Sequence, residues 1–381
     1  MLNVEVKGIS FQNKGAELML HAIQEEFAKR QVDARFVVEP IGDYQRRCNF
    51  GLWQKTRYIK RKINCLFPFS LLPSFMRKML GFINENEIDV VLDASGFSYG
   101  EQWSPLVAKY RLASTISGMK NRGTKVIVMP QALGPFESTA QKKYFGHILN
   151  TADKVFARDD NSFAYASTLL KASTKQGTLA QCGDFTNIIS GLADDNFDPN
   201  MHKICFIPNS KMLEMRTDGE AYIEFVIALI ENVIDSSPFI LIHEADADRR
   251  LAETIQQRLS RRIPVLDPQH ALKIKWIIGQ SNVVVSARFH GLVSALSQGV
   301  PVVATGWSHK YKELLNDYEM GEWLFDVASE TERALTKTNL LLTQASTYNQ
   351  VVEVIQSNAA KHKQRVKAAW DEIFAIITAK Y

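Results

Sequence analysis

Short β-branched runs alternate with amphipathic helical stretches along most of the 381 residues, and a parallel sheet with crossover helices is what such a chain can build. Val4 to Val6, Arg35 to Val38, Val90 to Leu92 and Lys125 to Val128 read as strands, with Ala16 to Lys29 as the first helix. The stretch from Thr186 to Lys203 is polar and rich in turn residues, which is how a linker reads. The pattern then restarts, with strands at Ile204 to Ile207, Phe239 to Ile242, Pro264 to Leu266, Val283 to Ser286 and Val302 to Ala304. Helices are expected at Glu220 to Ile234, Ala247 to Leu259, Leu272 to Ile278 and Leu292 to Gln298. The fold class is α/β, with two Rossmann-like halves facing a cleft. The expected division is an N-terminal domain over 1–190, a second over 203–340, and a helical segment over 341–381 that crosses back onto the first half.

Composition excludes whole classes. An apolar share of 46% with 23% charged residues is that of a chain with conventional cores, and 20 glycines and 12 prolines leave no room for low-complexity architecture. A formal charge of +4 is too weak to imply nucleic-acid binding. Cys48, Cys65, Cys182 and Cys205 form no C-x-x-C pair, so neither a zinc ribbon nor a redox motif is supported, and no metal site is expected. The N-terminus has no secretory pattern and no window approaches a membrane span, so a cytoplasmic, non-spanning protein is expected.

The rhythm breaks between Tyr44 and Asn84. No acidic residue occurs there, while Arg46, Arg47, Lys55, Arg57, Lys60, Arg61, Lys62, Arg77 and Lys78 alternate with Trp53, Tyr58, Phe67, Phe69, Leu71, Phe75 and Leu80. Read as an insertion, this mixture suits an anionic membrane surface or a lipid phosphate. Pro68 and Pro73 prevent one long amphipathic helix.

Among motifs, no phosphate loop of the G-x-x-x-x-G-K-[ST] type and no G-x-G-x-x-G occur, and His243-Glu244 lacks the second histidine of a zincin helix. Asp246-Ala247-Asp248 is a D-x-D triplet of the kind chance supplies in a chain this long. The run Ser286-Ala287-Arg288-Phe289-His290 is different. It comes after an apolar strand and opens a helix of small residues that leads to Gly299-Val300-Pro301 and a further strand. Ligands gather at that carboxyl edge, helix N-termini favour anions, and an arginine there adds a bidentate fork.

This run, with Trp307 and Lys310 after it, resembles the signature of the polysaccharide pyruvyl transferases. Asn13-Lys14-Gly15-Ala16-Glu17 is similar to the family's Asn-x-Gly-Asp loop, with Ala16 in place of the usual acid. Asp93-Ala94-Ser95-Gly96 stands at a glycine-rich loop and lacks two of its glycines. Gln131 to Phe136 matches Gln-x-x-Gly-Pro-Phe, and Arg158 to Ser162 matches Arg-Asp-x-x-Ser, followed by Asp184.

The resemblance implies an architecture like the GT-B glycosyltransferases, phosphoenolpyruvate as donor, no cofactor, and a sugar diol on a glycan or lipid-linked precursor as acceptor. The product would be a cyclic pyruvate ketal in a surface polysaccharide such as a capsule or exopolysaccharide. Arg158, Arg288 and Lys310 are the expected cations for the donor's phosphate and carboxylate, with Trp307 beside Lys310. His290 is the expected general acid, its ordinary pKa being near 6.5. Glu17 and Asp184 are candidate bases, Asp184 also being placed to orient Arg158. Asn13 and Gln131 are expected to meet sugar hydroxyls, and His243 with Glu244 the non-sugar part of the acceptor. Two other readings stay open: a GT-B glycosyltransferase taking a nucleotide sugar, and a non-catalytic glycan or lipid-phosphate binding protein.

Overall fold

The computed structural model describes residues 1–60, 63–215 and 217–379, leaving aside the side chains of Lys60 and Ala245. Arg61, Lys62 and the Lys60 side chain, three of the expected cations, therefore lie outside the described residues. Two compact units make up the chain. The first comprises 1–11, 19–185 and 365–381, and the second 12–18 and 186–364.

The first unit is built on an eight-stranded sheet. From edge to edge its strands are Leu179–Gln181, Lys154–Ala157, Lys125–Gln131, Val90–Asp93, Leu2–Lys7, Ala34–Val38, Trp53–Lys55 and Phe82–Ile83. All pairings are parallel. Both faces of the central strands are covered, and Val90–Asp93 is buried throughout. Val91, Leu112, Val126, Val128, Phe145 and Ile148 pack one core. The 44–84 stretch is more than an insertion, since Trp53–Lys55 and Phe82–Ile83 extend the sheet. Strands of two and three residues leave too short a period to be read in advance.

The second unit has a five-stranded parallel sheet in the order Val265–Leu266, Pro238–Leu241, Ile204–Ile207, Val283–Ser286 and Val302–Ala304. The strand order reverses between Ile204–Ile207 and Val283–Ser286, the topological switch point at which α/β sheets bind ligands. Helix Gly219–Asn232 buries Tyr222, Phe225, Val226, Leu229 and Ile230 in its core. Helix Phe289–Leu296 starts three residues before the expected Leu292, which puts His290 within its first turn.

Two long helices are divided between the units. Lys14–Lys29 gives its first residues to the second unit, and Ala345–Thr378, 34 residues long, gives those from Arg365 onward to the first. There Trp370 meets Phe185 edge-on at 6.1 Å and Phe374 meets Phe27 at 4.8 Å. Among the described residues no helix is long and apolar enough to cross a membrane.

Candidate functional site

In the second unit the site is organised by the turn after Ser286. The Ser286 hydroxyl accepts the Arg288 backbone N–H at 2.9 Å, which bends the chain sharply out of the strand. Arg288 occupies the N-cap position of helix Phe289–Leu296, and Asn209, just beyond the neighbouring strand, braces the loop by donating to the Ala287 carbonyl at 2.6 Å.

Arg288 is buried and held by two carboxylates, Asp248 and Glu244, with Ser210 Oγ at 3.5 Å. Burial opposes its charge, but the two carboxylates outweigh burial and raise its pKa above the ordinary value. Asp248, fully buried, also accepts the backbone N–H groups of Ser210 at 3.0 Å and Glu244 at 3.1 Å. Half of the D-x-D triplet is thus an arginine anchor, while Asp246 is exposed and pairs with Arg249 at 2.6 Å.

The opening loop of the chain belongs to this unit, although it precedes the first long helix by sequence. Asn13 bridges Glu244 through the backbone, and its side-chain oxygen accepts the N–H groups of Gly15 at 2.9 Å and Ala16 at 3.3 Å. Its oxygen caps helix Lys14–Lys29. Gly15 must be glycine, because a Cβ there would lie 2.1 Å from His290 Nδ1. The helix N-terminus therefore sits directly on the imidazole.

Glu17, the candidate base, is held by bonds within this unit. One of its oxygens accepts from Lys14 Nζ at 2.8 Å and the other from the Ala271 N–H at 3.0 Å, so this buried carboxylate closes a helix start. Lys14 also donates to the Gln269 carbonyl at 2.6 Å. His243 is buried in the same neighbourhood; burial first, then the charges of Arg288, His290 and Lys14, hold its pKa well below the usual histidine value. It is neutral at pH 7.

Lys310 lies in the first turn of helix His309–Asp317 with Nζ 4.7 Å from the Trp307 ring centre, 5.4 Å from Tyr311 and 5.5 Å from Phe289. This aromatic cradle orients the ammonium. Sequence reasoning missed Tyr311, Phe289, Ser210 and Asp248. Asp248 was legible only as a chance triplet, and Ser210 had no signal at all.

In the first unit, Arg158 and Asp184 are buried together with Nη1 to Oδ2 at 3.5 Å. The rest of Arg-Asp-x-x-Ser is structural: Asp159 caps helix Asp160–Ser167 by accepting the Ser162 N–H at 2.7 Å, and the Ser162 hydroxyl accepts the Leu133 N–H at 2.9 Å. That bond ties the motif to the Gln131 to Phe136 loop. Gln131 is fully buried and donates to the Asp93 carbonyl at 3.3 Å, while its Oε1 has no hydrogen-bond partner among the described residues. The substituted glycine loop has its own reason. Ser95 donates to Asp93 and accepts from Arg111 at 2.6 Å, and Gly8, at φ +82, makes room, since a Cβ there would lie 2.4 Å from Ser95 Cα.

The fold has close counterparts. The UDP-GlcNAc 2-epimerase of Neisseria meningitidis bound to UDP-GlcNAc superposes with a TM-score of 0.60 at 12% identity, covering 98% of this chain and 100% of its own. The S. aureus MnaA–UDP structure gives 0.60 at 14%, covering 100% and 99%. Anabaena Alr3699/HepE in complex with UDP and glucose gives 0.58 at 11%, covering 99% and 100%. At these identities the likeness is one of fold, the GT-B fold of sugar-nucleotide enzymes. No curated protein matches the chain significantly in sequence. The model of one sequence family, "Polysaccharide pyruvyl transferase", matches residues 13–309, from the Asn13 cap to the helix start beside Lys310. The chain belongs to the polysaccharide pyruvyl transferase family.

Proposed function

We propose that the protein transfers the pyruvyl group of phosphoenolpyruvate onto a sugar diol, giving a cyclic pyruvate ketal and inorganic phosphate, during assembly of a surface polysaccharide on a lipid-linked precursor. The observation that carries this reading is the group of Arg288, His290 and Lys310 at the carboxyl edge of the second sheet, in a chain of this family. The donor brings a phosphate and a carboxylate, which call for fixed cations. Arg288 is fixed by Asp248, and Lys310 by its aromatic cradle.

In the proposed reaction His290 gives a proton to the donor's methylene carbon while a sugar hydroxyl attacks the adjacent carbon. That hydroxyl's proton passes to a base, phosphate departs, and the second hydroxyl closes the ring as its proton goes to the phosphate. One carbon–hydrogen and two carbon–oxygen bonds form, the vinyl π bond and one carbon–oxygen bond break, and nothing is oxidised. Neutral His243 is a candidate hydrogen-bonding contact for the acceptor, because its surroundings disfavour the imidazolium. In the first unit, Arg158 is the candidate cation, Asp184 its orienting partner, and the spare acceptor of Gln131 the candidate contact for a sugar hydroxyl.

The test is calorimetric titration with phosphoenolpyruvate beside a panel of nucleotide sugars, repeated with His290→Ala. Saturable binding of phosphoenolpyruvate supports the reading, and His290→Ala should retain most of that binding while losing ketal formation. Binding of a nucleotide sugar in its place would move the protein to glycosyl transfer, the chemistry that the fold also hosts.

A further inference from the structure

Between Tyr58 and Leu80 the first unit is built inside out. Several polar groups are spent on internal bonds. Buried Arg77 donates to the Leu72 carbonyl at 2.6 Å and to Glu87 at 2.8 Å. Asn64 accepts the Tyr58 N–H at 2.8 Å and the Leu66 N–H at 3.2 Å, and Asn84 donates to the Ser70 carbonyl at 3.2 Å. Phe69 stacks on Phe82 of the sheet at 4.6 Å. The segment is tied to the sheet by specific bonds, so its outward side chains are presented by a fixed backbone.

Those outward side chains are apolar: Phe67 is 55% exposed, Leu71 71%, Phe75 66% and Met79 83%. Phe67 and Leu71, like Phe75 and Met79, are spaced by four residues around the short helices Phe67–Ser70 and Ser74–Met79. Four large apolar side chains exposed within thirteen residues are costly on a watery surface unless something covers them.

Charge identifies what covers them. The sequence from 44 to 84 contains no acid. Among the described residues from 58 to 80, Lys78 is the exposed charged side chain, and Lys60, Arg61 and Lys62 add three more positive charges in sequence. The nearest acids are occupied, Glu85 by Arg57 at 2.8 Å and Glu87 by Arg77. Exposed apolar side chains in a segment whose charged residues are all positive match a surface that is oily beneath and negative on top. We propose that this face docks the protein peripherally on an anionic lipid surface, with Phe67, Leu71, Phe75 and Met79 entering the headgroup boundary and Lys78 meeting lipid phosphates. This extends the sequence expectation and corrects its charge inventory, because Lys55, Arg57 and Arg77 are spent on internal pairs with Glu5, Glu85 and Glu87.

The experiment is flotation of the full chain with phosphatidylcholine vesicles, with and without phosphatidylglycerol. Wild type should float with the anionic vesicles and release at high salt. A variant carrying F67S, L71S, F75S and M79S should lose at least about tenfold in the floated fraction, with its thermal melt unchanged because all four side chains are exposed. A second variant, K60E, R61E, K62E and K78E, should lose binding to the anionic vesicles while keeping its melt. Failure of wild type to float, or flotation undiminished in both variants, would overturn the proposal. So would a wild-type dimer in sedimentation that the serine variant makes monomeric while vesicle binding is unchanged, since the patch would then cover a second copy of the chain. None of these readouts depends on pyruvyl transfer, so this inference and the proposed reaction fail separately.

Discussion

Each unit buries a charged triad, and the two triads are built for opposite ends. In the first, Glu5 lies between Lys7 at 2.9 Å and Lys55 at 2.9 and 3.0 Å, all three side chains almost fully enclosed. Glu5 and Lys7 are two apart on one strand and so share a face. Lys55 arrives from another strand of the same sheet. In the second, Arg288 lies between Asp248 and Glu244, but all three stand at helix starts on the carboxyl edge, and the Glu244 side chain is 26% exposed. A triad within a sheet is sealed, whereas one at a strand end has a member that water and ligands can reach. Position in the fold, more than burial, separates a structural charge from an exchangeable one.

The sealed triad should break hardest. Glu5→Gln takes the carboxylate from buried Lys55 and leaves Lys7 with Glu39 at 3.3 Å, and an uncompensated buried charge costs about 3–5 kcal/mol. Urea denaturation should record that loss. Glu5 also predicts an acid limb: burial opposes its charge, but Lys55 and Lys7 pull its pKa from 4.5 to about 2. Stability from this group is complete above pH 4.5 and drains as pH falls toward 2, because the unfolded chain takes up the proton first. A wild-type stability curve flat across that range would mean that the triad is open to water.

Arg288→Ala should lower ligand affinity and, because it leaves fully buried Asp248 without its guanidinium, stability as well. Removing one partner of a buried, hydrogen-bonded ion pair costs about 2–5 kcal/mol, read here as weakened phosphoenolpyruvate binding. Unchanged donor affinity would reject the assignment of Arg288.

The contrast between the triads also marks how much the sequence disclosed. Alternating apolar runs revealed both sheets, because strands covered on both faces leave that mark. The Arg288 and His290 turn was legible because strand end, helix start and charged residues fall within a few positions of one another. The partners were not. Asp248 lies 40 positions from Arg288, and nothing near Glu17 in sequence shows that Ala271 needs an acceptor. Lys55 was indistinguishable from its basic neighbours, since the Glu5 that neutralises it is 50 positions away. Local chemistry is written in order along the chain, while neutralisation is decided by topology.

His243 gives a smaller effect. Burial, with Arg288, His290 and Lys14 behind it, keeps its pKa well below 6.5 in the folded state. Below pH 6.5 the unfolded chain therefore accepts a proton that the native site refuses, and stability falls with pH by at most about 1.4 kcal/mol per unit, the limit for one proton. Urea midpoints of wild type and His243→Gln should diverge as pH is lowered from 7 to 5, with wild type losing more. Parallel curves would show that the imidazole is protonated in place.

Glu244→Gln tests the exchangeable member itself. At rest the second triad carries one cation and two carboxylates, a net charge of −1 that opposes an anionic donor. The substitution brings the triad to zero while Asp248 still holds Arg288, and Glu244 is exposed enough that solvent screens its pairing. Phosphoenolpyruvate should then bind about two- to fivefold tighter, under about 1 kcal/mol, with little change in the urea midpoint. Weaker binding would mean that Glu244 sets the guanidinium's working orientation, and the open triad would then depend on its internal contacts no less than the sealed one does.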